Sequence, residues 1–261
     1  SRRRGEIFCA FLLAGSAMQL ELTDDERQRY HEKLKDLLFE FDDFCEAHEI
    51  EYMLSFGTLL GAVRHHGFIP WDDDIDLMLT RPNFEKLYAL QSELPTYLKL
   101  DLGRILKLRD DRYHYVRGQD MTKWQPIFLD LFVLRETGPE SETLLRLKKW
   151  IDSRHRYPAW HPYKILLSLL KYPCRPIRNY LRNKADRAAH CTRLRYESKY
   201  YQDNSFPIDG MLPVTRALDF CGRKMPGPRV PDVYLKVEYG NDYMTPLPPE
   251  DRRFRVQYID F

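Results

Sequence analysis

Four aspartates crowd into five positions, Asp72, Asp73, Asp74 and Asp76, and the last two lie within an alternating apolar stretch, Ile75-Asp76-Leu77-Met78-Leu79. Strand residues two apart face the same way, so this spacing predicts that Asp74 and Asp76 present their carboxylates side by side. Like charges that close repel, and one is driven toward protonation unless a cation neutralises the pair. Hard oxygen ligands converging from a rigid strand suit Mg²⁺ or Mn²⁺, which in turn holds the phosphates of a substrate. That is the outline of a phosphoryl-transfer site. Upstream, Gly57-Thr58 opens a short apolar helix. Such a turn brings backbone N–H groups to a helix start, a cradle for phosphate, where Gly57 permits close approach and the Thr58 hydroxyl adds a hydrogen bond. Arg64, near the end of that helix, carries the guanidinium that clamps a phosphate bidentately.

An aspartate run is ordinarily a solvated loop. Here Trp71 before it and an apolar strand after it leave little room for one. A calcium loop fails on spacing: counting Asp72 as position one, position six is Leu77 rather than Gly and position twelve is Asn83 rather than Glu. A third acidic residue, Asp130, stands in the most apolar predicted strand, Ile127 to Leu134. A buried unpaired carboxylate is costly. Either a metal shared by Asp74, Asp76 and Asp130 or a buried salt bridge accounts for it, and Asp130 then acts as ligand or as acceptor of a hydroxyl proton. Asp72 is the outer member of the metal cluster. Lys107 and Arg109 alternate on a strand and face either the same cleft or solvent.

The elements that must position these residues are legible in outline. Thr23-Asp24-Asp25-Glu26 is a capping box opening a helix to about His48, with Leu34, Leu37, Leu38, Phe41 and Phe44 on its apolar face. A short strand, Glu51 to Leu54, precedes the Gly57 helix. Pro82 fits the first turn of a further helix with Phe84, Leu87, Tyr88 and Leu90 inward. Three strands are expected at Tyr97–Asp101, Arg104–Arg109 and Arg112–Arg117. Helices are expected at Ser141–Ile151 and Trp160–Tyr201, broken at Pro173 and Pro176, and a strand-like tail at Arg255–Phe261.

With 261 residues, 43% apolar and 13% aromatic, the chain can build a proper core. Its five scattered cysteines form no CxxC pair or Cys/His cluster, which speaks for free thiols in a reducing cytoplasm. Arg2-Arg3-Arg4 followed by residues 7–17 mimics a signal peptide, but the uncleaved chain favours a short packing or surface helix. A net charge of +2 hides an asymmetry: Arg146 to Tyr200 holds 15 Lys/Arg against 3 Asp/Glu, about +12, leaving about −10 elsewhere. A basic block of this kind suits anionic lipid headgroups or a phosphorylated glycan, or is a solvated helical face. The stacked aromatics of a nucleic-acid platform are not evident, so no nucleic acid is expected.

Gly57-Thr58 with Asp74-Ile75-Asp76-Leu77 resembles the glycine-plus-Asp-x-Asp signature of the nucleotidyltransferase superfamily typified by DNA polymerase β. The longer string GTLLGAVRHHGFIPWDDDID is similar to the LicD family of phosphocholine transferases, related to fukutin and fukutin-related protein. Ile127 to Phe132 resembles that family's second acidic strand, and VPDVYLKVEYGNDYMTPLPP, Val230 to Pro249, its C-terminal segment. Two departures stand out: Asp130-Leu131-Phe132-Val133 replaces the usual Asp-Ile-Phe-Pro, and Arg252-Arg253-Phe254-Arg255 stands where a histidine often follows.

The resemblance implies an α+β fold with a polymerase-β-like core, a mixed sheet flanked by helices, plus a basic helical insertion. The expected units are an extension (1–22), the catalytic core (23–140), a basic helical subdomain (141–205) and a C-terminal segment packing on the core (206–261). It also implies a Mg²⁺- or Mn²⁺-dependent transfer of phosphocholine from CDP-choline, or of another phospho-alcohol from its CDP-alcohol, to a polyanionic glycan or glycolipid. The enzyme would be cytoplasmic, peripheral at the inner face of the membrane. The alternatives are transfer of NMP from an NTP and a non-catalytic polyanion- or membrane-binding module.

Overall fold

A computed structural model of the chain describes residues 22–103, 105–117, 124–138, 191–197 and 204–260. The expected helices at 141–151 and 160–190, the extension 1–21 and most of the basic block lie outside the described residues. The remainder is α+β: a curled mixed sheet flanked by helices.

Helix α1 (Asp24–Ala47) begins as its capping box dictates, with the Glu26 N–H donating to Thr23 Oγ1 at 3.2 Å and the Thr23 N–H donating to the Glu26 carboxylate at 2.9 Å. Its face of Tyr30, Leu34, Leu37, Leu38, Phe41 and Cys45 is buried. Then follow β1 (Met53–Leu54), α2 (Phe56–His65), β2 (Asp76–Thr80) and α3 (Arg81–Ala89). Helix α3 does carry Pro82 in its first turn and buries Phe84 and Leu87, but Tyr88 is 44% exposed rather than inward. Strands β3 (Leu98–Asp101), β4 (Leu106–Arg117) and β5 (Trp124–Thr137) come next. The two strands expected at 104–109 and 112–117 are thus one. An irregularity between Asp110 and His114 absorbs the charged Asp110-Asp111-Arg112 run, where Arg112 bonds back to Asp110 at 2.7–3.0 Å.

Beyond them lie β6 (Arg193–Tyr196), β7 (Ser205–Pro207), a single turn α4 (Ile208–Met211), the hairpin β8 (Thr215–Phe220) and β9 (Arg223–Gly227), helix α5 (Pro231–Tyr239) and β10 (Val256–Asp260). Residues 193–196, expected as helix, are a strand: Leu194 and Tyr196 alternate with arginines and pair with Glu136 and Leu134 on β5. The main sheet runs β1-β2-β5-β4-β10, with β3 on β4 and β6-β7 continuing from β5. Among these pairs β2 and β5 are parallel and the others antiparallel.

Strand β5 is the spine. Ile127 through Leu134 are all buried, as expected of a central strand covered on both faces. The β8–β9 hairpin is a separate two-stranded sheet lying against α2 and β1. It is latched to α1 through Asp42, 1% exposed, which accepts from Arg216 at 2.7 Å and from the Tyr52 hydroxyl at 2.8 Å. No helix among the described residues is long and apolar enough to cross a membrane.

Candidate active site

The parallel pairing of β2 with β5 sets Asp76 directly opposite Asp130, and the antiparallel pairing of β5 with β4 sets Lys107 opposite Asp130. Cross-strand partners share a face, so three adjacent strands deliver Asp76, Asp130 and Lys107 as one row. Lys107 donates to Asp130 Oδ1 at 2.6 Å while its ammonium lies 3.2 Å from the centroid of the Phe128 ring. The buried salt bridge weighed for Asp130 is therefore present. It leaves the acidic cluster intact: the carboxyl of Asp76 is pushed well up by burial and by the charges of Asp74, Asp130 and Asp72, with Lys107 opposing.

Asp74 precedes β2 rather than lying within it. Asp72, Asp73 and Asp74 still bring carboxylate oxygens within 4.8 Å of one another, close enough to share an ion. Burial, the Asp74 and Asp73 charges and a hydrogen bond with Asp74 raise Asp72 to about 8. Carboxylates this crowded and this desolvated favour either a shared proton or a bound cation, and oxygen-only donors fit Mg²⁺ or Mn²⁺.

Asp73 plays a different part from its neighbours. It is 3% exposed, accepts from the Arg255 N–H at 3.0 Å, and lies 3.3 Å from the Arg255 guanidinium, which also reaches Asp74 at 3.6 Å. Helix α1 holds the same loop from behind: the Tyr30 hydroxyl donates to the Asp73 carbonyl at 3.0 Å, and His31 Nε2 lies 2.7 Å from the Asp72 carbonyl while its ring stacks on Phe68.

Gly57 and Thr58 sit in the first turn of α2, yet both face the acidic motif. A Cβ on Gly57 would stand 2.2 Å from Asp72 Oδ2, so the glycine makes room for that carboxylate. Thr58, 4% exposed, accepts from the Asp76 N–H at 2.9 Å and fixes the start of β2. Arg64 donates to the carbonyls of Tyr243 and Thr245 at 3.0 and 3.5 Å, tying α2 to the loop after α5. Arg109, two residues from Lys107 on the same strand, lies 3.5 Å from Asp101.

Four further residues enter that sequence reasoning did not single out. Tyr239 closes α5, and its phenol is raised by burial and by the charges of Asp76, Asp72, Glu238 and Asp74. Phe56, at the head of α2, has φ 39°, rare for an aromatic residue. Its N–H donates to the Tyr234 hydroxyl at 3.1 Å, and its ring stacks on Tyr196 with centroids 5.3 Å apart. Tyr234 and Tyr239 lie in the Val230–Pro249 segment, and that is the signal available for them; Phe56 and Tyr196 have none.

Residues 49–178 match the family described as LicD/FKTN/FKRP, nucleotidyltransferase domain. The chain belongs to the LicD family. It is similar to the lipopolysaccharide cholinephosphotransferase LicD of Haemophilus influenzae, 30% identical over 119 residues, which cover 42% of this chain and 44% of that protein. It is similar also to uncharacterized proteins of Rickettsia prowazekii, 34% identical over 202 residues (63% of this chain, 71% of the relative), and of Rickettsia typhi, 38% over 138 residues (51% and 40%). The chain thus spans less than half the length of the Haemophilus and Rickettsia typhi proteins. The LicD-family match includes the whole row of Asp76, Asp130 and Lys107 and the Gly57 turn, whereas Tyr239 and Arg255 lie beyond it.

Proposed function

We propose that this LicD-family chain is a metal-dependent transferase moving phosphocholine, or a related phospho-alcohol, from a CDP-alcohol such as CDP-choline to a hydroxyl of a cell-surface glycoconjugate, with release of CMP. Its core is then a polymerase-β-like nucleotidyltransferase fold. The observation that carries this is the pairing of Asp76 with Asp130 across two parallel strands, with Asp74 and Asp72 beside them.

Asp74 and Asp76, with Asp72 and Asp130 alongside, would hold Mg²⁺ or Mn²⁺. The ion, when bound, neutralises the donor's pyrophosphate and eases departure of CMP. The acceptor hydroxyl oxygen bonds to the phosphorus that bears the alcohol, and the bond from that phosphorus to the CMP oxygen breaks. The hydroxyl proton passes to a carboxylate, for which Asp130 is suited because Lys107 fixes its orientation at 2.6 Å. The Gly57-Thr58 end of α2 supplies N–H groups for a phosphate, and Lys107 supplies positive charge to the same face. Arg64 supports this indirectly, by holding the loop that follows Tyr239. In this role the enzyme works in the cytoplasm, with the basic stretch Arg146–Tyr200 against anionic lipid or a polyanionic acceptor at the inner face of the membrane.

The test is product identity. Incubated with Mg²⁺ and CDP-choline, and separately with CTP or ATP, the protein is expected to release CMP from the first and no pyrophosphate from the others. Asp74→Asn and Asp130→Asn should each lower CMP release by about 100-fold or more. Pyrophosphate release would instead make it a nucleotidyltransferase. Unchanged CMP release in both variants would put the chemistry away from these aspartates, and no turnover of any donor by the parent would leave them as a mere cation site on a binding module.

A further inference from the structure

Arg255, immediately before β10, joins a fixed backbone to an exposed side chain. On one side of it Phe254 packs edge-on against Tyr30 and His31, with ring centroids 5.9 and 5.6 Å apart. On the other side Val256, 2% exposed, opens β10 by pairing with Arg117 on β4. The Arg255 N–H donates to Asp73 Oδ2 at 3.0 Å, so the main chain by itself serves the buried Asp73. The side chain is 58% exposed, and its guanidinium lies 3.3 Å from Asp73 Oδ1 and 3.6 Å from Asp74 Oδ2. The second distance is too long for a hydrogen bond, so the charge leans on Asp74 without being locked to it.

Two cations have a claim on the same oxygens. Asp74 is among the carboxylates assigned above to the ion, and its oxygen lies within 4.8 Å of those of Asp72 and Asp73. An ion in that cluster and a guanidinium on the same carboxylates repel each other. An exposed arginine gains little by staying, so it is the arginine that yields. Its planar fork of N–H donors matches phosphate oxygens two at a time. The donor's diphosphate is the anion that the reaction brings to this place.

We infer that Arg255 is a donor-binding residue: its guanidinium competes with the ion for Asp74 and, once displaced, clasps the donor's diphosphate. This rests on the metal-dependent transfer proposed above and adds to it a residue outside the family match of 49–178. The stretch leading into β10 thereby couples the two ligands. Seating the ion releases the arginine, and the arginine then holds the donor.

Opposed changes in two affinities are the measurement. Titration calorimetry reads Mn²⁺ binding to the protein alone, and initial rates of CMP release at saturating Mn²⁺ read KM for CDP-choline. Both are taken for the native chain, Arg255→Ala and Arg255→Lys, all of which keep the backbone N–H on Asp73. Without donor, Arg255→Ala is expected to bind Mn²⁺ more tightly than the native chain, by about threefold or more for so exposed a charge. The same variant should raise KM by about tenfold or more, with a smaller change in kcat. Arg255→Lys keeps the charge and loses the fork, so it should retain the native Mn²⁺ affinity and recover only part of KM. A residue that merely props the loop would weaken both affinities on removal. Weaker or unchanged Mn²⁺ binding in Arg255→Ala, or an unchanged KM, therefore overturns the inference and leaves the transfer reaction standing. If Mn²⁺ binds but no CDP-alcohol is turned over, the transfer reaction itself falls. Binding of pyrophosphate in the presence of Mn²⁺ then decides: tighter in the native chain than in Arg255→Ala supports the arginine's role, and equal binding sinks it. A native chain that binds no Mn²⁺ ends the metal-dependent reading and this one with it.

Discussion

At Gly57 the chain is decided by a missing methyl group. Alanine there would gain up to about 1 kcal/mol in helix propensity, yet its Cβ would stand 2.2 Å from the Asp72 carboxylate. Overpacking of that order costs about 1–3 kcal/mol unless the neighbour moves. The neighbour here is a half-buried acid in contact with Asp74, so moving it disturbs the acidic cluster. Gly57→Ala is therefore expected to cost little in thermal stability but to lower CMP release by about 10-fold or more. Equal activity in the variant and the parent would show that Asp72 has no part in holding the ion. Thr58 is constrained by the same logic: its hydroxyl serves the Asp76 N–H, and so the acidic strand itself.

At the scale of elements, three devices clamp the DDD loop and the strand it feeds. Helix α1 grips the loop backbone through Tyr30 and His31, the C-terminal stretch grips Asp73 through Arg255, and the β8–β9 hairpin braces α2 from outside. The hairpin's own hold depends on Asp42, which gathers Tyr52, Arg216 and Arg223, the last at 3.5 Å. Removing Arg216 leaves a buried carboxylate with less compensation. Because the arginine is itself 39% exposed and Arg223 stays, the expected loss is about 1–3 kcal/mol rather than the larger figure for a fully buried pair. Urea unfolding of Arg216→Ala should show that loss, with proteolysis appearing first near Cys221-Gly222 at the hairpin tip. A midpoint unchanged from the parent would mean that the hairpin is held by packing alone.

For the molecule as a whole, the acidic cluster links stability, pH and metal. Asp72 rises from 3.8 to about 8, and Asp76 moves the same way. Between about pH 4 and 8 the folded chain keeps a proton that the unfolded chain has released. The folded state then binds more protons, so without metal stability falls as pH rises through that window, by at most about 1.4 kcal/mol per unit for each such group. A divalent ion held as proposed would replace the proton and reverse the trend. In EDTA the melting temperature should be lower at pH 8 than at pH 5.5, and Mn²⁺ should raise it by more at pH 8. Stabilisation by Mn²⁺ that is equal at the two pH values would argue that the ion binds elsewhere.

What the sequence determined by itself was whatever covalent geometry makes periodic. The capping box at Thr23 and Glu26, the inward face of α1, Pro82 in its helix and an aspartate inside the most apolar strand were all readable, because a helix repeats every 3.6 residues and a strand every two. Four residues are too few for that signal. By periodicity strand β6 accordingly reads as part of a long basic helix, and the charged interruption at Asp110-Asp111-Arg112 as a gap between two strands. Only the tertiary structure decided register and long-range partners. No local pattern states that β2 and β5 run parallel with Asp76 opposite Asp130, that Lys107 falls on that same row, or that Arg255 reaches back to Asp73. Register is chosen by the burial of all strands together, since a slip of one residue would turn every side chain to the other face.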